Sequence, residues 1–167
     1  KAETAFGEAI ALDGDNPHIW YGPSQVTKVA DAVSTTLERL RPAAASDLEM
    51  RRAAFTAALE PYSTAIATIR ASASGKRYAA TEGVFDDMAA AVGLVDVTPR
   101  GYRKSAANES EPAPGDIDAF HKALAGKRID VLIDNAQTEG AIPDQIRRAA
   151  ASAGVPVVDV TESPPPG

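Results

Sequence analysis

Residues 129–160 read IDVLIDNAQTEGAIPDQIRRAAASAGVPVVDV, and their pattern carries most of the information about the fold. An apolar run at 129–133 predicts a buried strand, 142–153 predicts a helix, and a second apolar run at 155–160 predicts another strand. Two strands joined by a helix at this spacing predict a right-handed βαβ unit, because parallel strands need a crossover between them. The stretch therefore indicates an α/β fold with a parallel sheet.

The residues before this stretch continue the alternation of strands and helices. A short buried strand is predicted at 77–80, and helices are predicted at 82–92 and 114–124, whereas 100–114 is polar and is expected to be irregular. The expected fold is an α/β lobe in which helices flank a parallel sheet.

Helices are predicted ahead of this lobe. Apolar residues recur every three or four positions after Pro23, which suits the first position of a helix, and Pro42 ends that segment. A second apolar stripe at helical spacing covers residues 48–69, and Pro61 within it should kink or split the helix. The sheet is therefore expected to follow a long helix that is kinked or split at Pro61.

Composition excludes several classes of function. The chain has 167 residues, 44% of them apolar, and a net charge of −6 at pH 7. Such an acidic chain argues against nucleic-acid binding, which needs a basic surface. The absence of cysteine excludes disulfides and thiolate metal ligands. The phosphate-loop, GxSxG and HExxH signatures of common enzyme classes are also absent.

Polar residues follow each of the three predicted strands: Thr81-Glu82, Asp134-Asn135 and Thr161-Glu162. Ligands of parallel sheets bind beyond the carboxyl ends of the strands, so Glu82 and Glu162 are expected to face one crevice, with Asp134 and Asn135 as donors beside them. Two converging carboxylates repel each other unless they share a proton or bind a cation. The residues leave two interpretations open, a divalent metal site and a general acid/base pair.

One histidine is a candidate partner of these carboxylates. His18 lies in the segment NPHIWYGP, just before the first predicted helix and beside Trp20. An imidazole among aromatic side chains serves more often as a structural hydrogen-bonding group than as a ligand, and both roles stay open here. Glu109 lies in the polar segment before residue 114, where acids are usually only solvated.

Several segments together resemble one protein family. NPHIWYGPSQVTKVADAV at 16–33 is similar to the NPHxWxDP-helix segment of the zinc/manganese solute-binding proteins that serve ABC importers. RYAATEGVFDDMAAAVGL at 77–94 resembles the segment that opens their C-terminal lobe, and NESEPAPGDIDAF at 108–120 resembles their acidic EPSxxDI segment. The closing βαβ with its VTESPPPG end resembles the last part of that lobe.

The resemblance implies a metal-binding receptor rather than an enzyme, with zinc or manganese as the transported ligand. His18 matches the histidine ligand of the family's N-terminal lobe, Glu82 stands where many members carry a histidine, and Glu162 matches the carboxylate ligand near the C-terminal end. Ser105 stands at the position of the remaining ligand, for which Glu109 or water would substitute. A set richer in oxygen than in nitrogen favours harder ions such as manganese, with zinc still open.

The resemblance also implies a division of the chain and a cellular context. Residues 1–41 would be the end of an N-terminal lobe, 42–75 the linking helix and 76–167 the C-terminal α/β lobe, so the chain is expected to be a fragment of a longer protein. The implied partners are a divalent metal ion and an ABC permease, with no nucleic acid. The implied receptor is a periplasmic or extracellular monomer, for which a lipid anchor on a removed N-terminal segment is one form of attachment. A degenerate interaction or adhesion module without metal, and less favourably a carboxylate-based hydrolase, stay open as alternatives.

Overall fold

A computed structural model describes residues 16–163 of the chain. The chain divides into two compact units, of which the first ends at Ser72 and the second begins at Ala73. The first 15 residues of the predicted 1–41 segment, and the last four of the VTESPPPG end, lie outside the described residues.

The first unit consists of helices. A 3-10 turn at Ile19–Tyr21 leads into α1 (Pro23–Leu40), and α2 (Ala45–Ala58) and α3 (Glu60–Ala73) follow. The helix after Pro23 is confirmed. The predicted long helix is split, because Pro61 lies in the first turn of α3, where a missing N–H costs no helical hydrogen bond.

The apolar stripes of this unit are only partly covered. Helix α1 packs on α2, and Arg52 forms a 2.6 Å ion pair with Asp31 across that contact. Val33 and Leu37 of α1 are nevertheless 43% and 41% exposed, so helical spacing predicts the helix but overstates the burial of its apolar stripe. None of the helices within residues 16–163 is long and apolar enough to cross a lipid bilayer.

The second unit is built on a four-stranded sheet within the described residues. Its strands are β1 (Arg77–Ala80), β2 (Val95–Asp96), β3 (Val131–Asn135) and β4 (Val157–Val160). Their order in the sheet is β2-β1-β3-β4, and every pair is parallel. The predicted parallel α/β fold is therefore confirmed. The sequence pattern did not indicate β2, since two residues are too few to show a period.

Helices cover this sheet, and one of them is absent from the sequence-based prediction. They are α4 (Asp86–Ala91), α5 (Arg100–Ala107), α6 (Pro114–Ala125) and α7 (Ala141–Ser152). The expectation of an irregular segment at 100–114 was wrong, because α5 occupies its first half. The segment RGYRKSAA has a single large apolar anchor, Tyr102, which is 2% exposed and meets the Phe120 ring edge-on at 4.8 Å. Tertiary packing, rather than an apolar stripe, therefore selects this helix.

The core of the second unit lies between β3 and the two helices that flank it. Phe120 and Leu124 of α6, Leu132 of β3 and Ile146 of α7 are each at most 1% exposed, and they belong to one contiguous cluster. This packing fixes the central strands, and their carboxyl ends are the rigid base on which the candidate site is built.

The amino ends of β1 and β3 are joined by an ion pair. Arg77 donates to the Asp130 carboxylate from its backbone N–H (2.8 Å), from Nε (3.0 Å) and from Nη2 (2.6 Å). These hydrogen bonds lower the pKa of Asp130 from 3.8 to about 2. A lowered pKa means that the folded state favours the ionised carboxylate, so the pair stabilises the fold above pH ~4 and this contribution is lost as the pH falls toward 2.

We therefore expect Asp130→Asn to melt at a lower temperature than the wild type at pH 7, with a difference that shrinks as the pH falls from about 4 to about 2. The measurement is thermal unfolding by circular dichroism across that range. Asp118→Asn, which removes an exposed pair with Lys122 on α6, is the control and should change the melting temperature little. A pH-independent loss in Asp130→Asn would contradict this assignment.

Candidate metal centre

The candidate site lies where the direction of strand addition reverses. The chain passes from β1 outward to β2 and then to β3 on the other side of β1, so a crevice forms at the carboxyl ends of β1 and β3. Glu82 follows β1 by two residues, Asn135 is the last residue of β3, and Glu162 follows β4 by two residues. Carboxylate oxygens of Glu82 and Glu162 lie within 4.8 Å of each other.

Asn135 connects the two carboxylates. Its Nδ2 donates to Glu82 Oε2 at 2.7 Å and to Glu162 Oε1 at 2.9 Å. The amide nitrogen has two N–H groups, which also serve Thr138 Oγ1 at 2.8 Å. Asn135 is 2% exposed, and its backbone N–H donates to Thr81 Oγ1 at 3.1 Å. One buried amide therefore stabilises two negative charges side by side, and the expectation that Asn135 donates to the site is confirmed.

The loop after β3 supplies two further contacts that the sequence pattern did not indicate. Thr138 Oγ1 donates to Glu82 Oε2, the same oxygen that accepts from Asn135. Gln137 Oε1 accepts from the backbone N–H of Glu162 at 2.7 Å and of Ser163 at 3.1 Å. Gln137 thus fixes the backbone that carries Glu162. The only sequence signal for both residues is their place directly after an apolar strand.

Asp134 has a different role from the one expected. It is 5% exposed and accepts from Thr81 Oγ1 at 2.9 Å, and Arg147 of α7 pairs with it at 2.5 Å. The same guanidinium pairs with Asp159 of β4, and this contact lowers the pKa of Asp159. Through Thr81, Asp134 fixes the backbone that precedes Glu82.

A buried phenol lies near the same crevice. Burial raises the pKa of Tyr102 to about 12, and the negative charges of Asp134 and Glu82 add to the shift. Tyr102 therefore stays neutral at physiological pH and adds no charge near Asp134 and Glu82.

His18 belongs to the first unit, where it precedes the Ile19–Tyr21 turn. Its Nδ1 lies 2.9 Å from Asn16 Oδ1, which also accepts from the His18 backbone N–H at 3.1 Å. Because an amide oxygen only accepts, Nδ1 is the donor in this contact, and a neutral imidazole then has its lone pair on Nε2. The ring packs edge-on against Trp20 at 5.3 Å. The asparagine of the NPH segment thus fixes the imidazole tautomer in which Nε2 can bind a metal.

Glu109 is exposed in the turn after α5, with a positive φ of 49°. Among residues 16–163, no group of three or more close metal-binding side chains includes it. Ser105 lies inside α5, where its carbonyl accepts from Ser110 N–H at 2.9 Å. The structure therefore brings Glu82 and Glu162 together and leaves Glu109 apart from them.

The carboxylate oxygens of Glu82 and Glu162 are chemically suited to bind a divalent cation. Two oxygens bound to one tetrahedral ion at ~2.0–2.2 Å lie about 3.4 Å apart, which is within the 4.8 Å limit that holds for the oxygens of Glu82 and Glu162. Both carboxylates carry hydrogen bonds from neighbouring side chains, as metal-ligating carboxylates generally do.

Solved structures share this fold at low sequence identity. A mutant of the laminin-binding adhesin Lmb from Streptococcus agalactiae matches with a TM-score of 0.69 at 20% identity, over 90% of this chain and 55% of that one. The solute-binding protein FpvC from Pseudomonas aeruginosa in complex with Ni²⁺ matches with 0.67 at 17%, over 88% and 53%. A ZnuA crystal structure matches with 0.65 at 19%, over 86% and 51%. The chain thus spans about half the length of these proteins.

The family is shown by a comparison with family models. No curated protein sequence gives a significant match to this chain. The model described as ZnuA, the periplasmic component A of the zinc-uptake complex, matches residues 2–167, which is nearly the whole chain. The resemblance drawn from the NPHIWYGP and VTESPPPG segments is thereby confirmed, and the chain belongs to the ZnuA family of metal solute-binding proteins.

Proposed function

We propose that this chain is part of an extracytoplasmic receptor that binds one divalent transition-metal ion, zinc or manganese, and delivers it to an ABC permease. The observation that carries the proposal is the pair of carboxylates at the carboxyl ends of β1 and β4, held within 4.8 Å by a buried amide. Family membership supports a receptor rather than an enzyme, and a location in the periplasm or outside the cell, either free or lipid-anchored.

The proposed ligands are Glu82, Glu162 and Nε2 of His18. The carboxylates supply oxygen, and the tautomer set by Asn16 supplies an imidazole nitrogen. Glu109 stays a proposed fourth ligand, with water as the alternative. Zinc sites commonly take three protein ligands and one water, so the set is sufficient for an ion even without Glu109.

The choice of metal follows from two lines of support. One imidazole and two carboxylates suit both zinc and manganese, and more oxygen ligands favour manganese. Structural neighbours include FpvC in complex with Ni²⁺ and with Mn²⁺, and a ZnuA deletion mutant with bound zinc. The proposal is therefore a transition-metal receptor with zinc and manganese as its candidate ligands.

The proposal is tested by thermal unfolding of the chain with Zn²⁺, Mn²⁺ or Ca²⁺ in excess. An ion at a hundred times its dissociation constant should stabilise the chain by about 2.7 kcal/mol. We expect a shift with Zn²⁺ or Mn²⁺ and little shift with Ca²⁺. An unchanged melting temperature with every ion would contradict metal binding by this chain.

A second candidate function has one observation in its favour. Because Asn135 donates to both carboxylates, the pair is stabilised without a cation, as expected for a family member that serves as an interaction module and binds no metal. The laminin-binding adhesin Lmb is among the structural neighbours. The unfolding experiment separates the two functions, since an interaction module would not respond to Zn²⁺ or Mn²⁺.

Gln137 should matter for affinity although it is not a proposed ligand. We expect Gln137→Ala to weaken metal binding about 10–100-fold, because the backbone carrying Glu162 loses its two hydrogen bonds to Gln137 Oε1. Gln137→Glu keeps the acceptor oxygen and should weaken binding less. The measurement is isothermal titration calorimetry, and equal affinity in Gln137→Ala and wild type would contradict this role.

A further inference from the structure

One buried side chain near the crevice carries a polar group without a protein partner. Tyr102 of α5 is 2% exposed, and its hydroxyl makes no hydrogen bond to another group among residues 16–163. Tyr78 of β1 is similarly buried, and its hydroxyl donates to Asp86 Oδ1 at 2.8 Å. Buried hydroxyls are usually paired, because an unpaired one is unfavourable for folding. The hydroxyl of Tyr102 is therefore available to a partner that is not part of the protein.

Helix α5 brings this hydroxyl close to the candidate site. The helix packs against the turn at 83–85, which directly follows Glu82. Burial, followed by the negative charges of Asp134 and Glu82, raises the pKa of the Tyr102 phenol to about 12. The phenol therefore lies within electrostatic reach of carboxylates at the carboxyl ends of β1 and β3, and it is neutral there.

The ring of Tyr102 is held by packing. It meets the Phe120 ring edge-on at 4.8 Å, and it belongs to the same contiguous core cluster as Ala79 of β1 and Leu132 of β3. A ring packed in this way has little freedom to turn toward another partner. A ligand that contacts the hydroxyl therefore meets a group already fixed in place, and little conformational entropy is lost on binding.

We propose that Tyr102 is a positioning residue, whose hydroxyl oxygen accepts a hydrogen bond from a water molecule bound to the ion held by Glu82 and Glu162. This inference rests on the proposed function. An ion with three protein ligands commonly takes water as its fourth, and the charge of the ion makes that water a strong donor. A phenol oxygen accepts such a bond without adding a third negative charge beside the two glutamates.

The test compares Zn²⁺ dissociation constants by calorimetry in wild type, Tyr102→Phe and Tyr78→Phe, together with urea unfolding of each metal-free chain. Tyr102→Phe removes the hydroxyl and keeps the ring packed on Phe120. We expect it to bind Zn²⁺ about tenfold more weakly, with an unchanged or higher urea midpoint, because the hydroxyl it loses has no protein partner. Tyr78→Phe is the matched control and should show the reverse, a lower midpoint and an unchanged Zn²⁺ affinity, because it loses the hydrogen bond to Asp86.

A spectroscopic signal gives a second readout. Adding Zn²⁺ should perturb the near-ultraviolet absorbance of Tyr102 when its hydroxyl gains a hydrogen bond. The tyrosine difference signal should therefore be smaller in Tyr102→Phe than in wild type and should persist in Tyr78→Phe. A merely structural role for Tyr102 would not produce this difference.

The outcomes separate the inference from the proposed function. A wild-type chain that binds no Zn²⁺ would overturn the proposed function and this inference with it. Wild-type binding with equal affinity in Tyr102→Phe, or with an unchanged tyrosine difference signal in that variant, would overturn the inference alone. A weaker affinity accompanied by a lower urea midpoint in metal-free Tyr102→Phe would also overturn it, because the hydroxyl would then serve the fold.

Discussion

Glu162→Gln should abolish the stabilisation of this chain by Zn²⁺ or Mn²⁺ while leaving its unfolding without metal nearly unchanged. Glutamine keeps the size of the side chain and an oxygen that can accept from Asn135 Nδ2, which now lies 2.9 Å from Glu162 Oε1. It removes the negative charge that binds a cation. Where wild type gains about 2.7 kcal/mol at a hundred times its dissociation constant, the variant should gain almost nothing at the same concentration.

The measurement is thermal unfolding with and without metal, and Glu82→Gln should behave in the same way. Glu139→Gln is the matched control, because it removes the same charge from an exposed position in the loop after β3. It should keep most of the metal response. A full response in both Glu82→Gln and Glu162→Gln would place the metal elsewhere.

Arg147→Met should lower the free energy of unfolding by about 2–4 kcal/mol. Arg147 pairs with Asp134, whose side chain is 7% exposed, so its loss leaves a buried carboxylate with the Thr81 hydroxyl as its remaining partner in the network. The exposed pair with Asp159 contributes less. Methionine retains the packing of the aliphatic part of Arg147, so the decrease in the free energy of unfolding is due to the missing charge.

Urea unfolding measures this effect, and a second substitution identifies its cause. Asp134→Asn in the Arg147→Met background should recover part of the lost stability, because it removes the unpaired charge. Arg148→Met, at an exposed position on the same helix, is the control. A loss within ~0.5 kcal/mol of that control would contradict a stabilising role for the Arg147–Asp134 pair.

Three of the four strands described in the second unit were predictable, because β1, β3 and β4 are short apolar runs bounded by polar residues. Residues 77–80 form β1 as expected, and the strand ends place Glu82 and Glu162 in one crevice. Helix α5 was not predictable, since its packing depends on Tyr102 meeting Phe120, a contact between segments far apart in sequence. Strand β2 exists only through its pairing with β1.

The residues of the candidate site were likewise only partly predictable from the sequence. The local sequence pattern and the parallel topology predict which carboxylates lie at strand ends, so Glu82 and Glu162 could be proposed as site residues from the sequence. Gln137 and Thr138 could not, because a polar loop side chain gains its role only when the fold brings it to a partner 25 or 56 residues away. The roles of Glu82, Glu162, His18 and Glu109 as metal ligands stay predictions.

The central claim, that this chain binds one divalent transition-metal ion through Glu82 and Glu162, is tested most directly by equilibrium dialysis. Purified chain is stripped with a chelator, dialysed against Zn²⁺ or Mn²⁺, and analysed for metal and protein, with Glu162→Gln treated in parallel. We predict about one ion for each wild-type chain and almost none for the variant. Equal metal content in wild type and Glu162→Gln, or no metal in either, would contradict the claim.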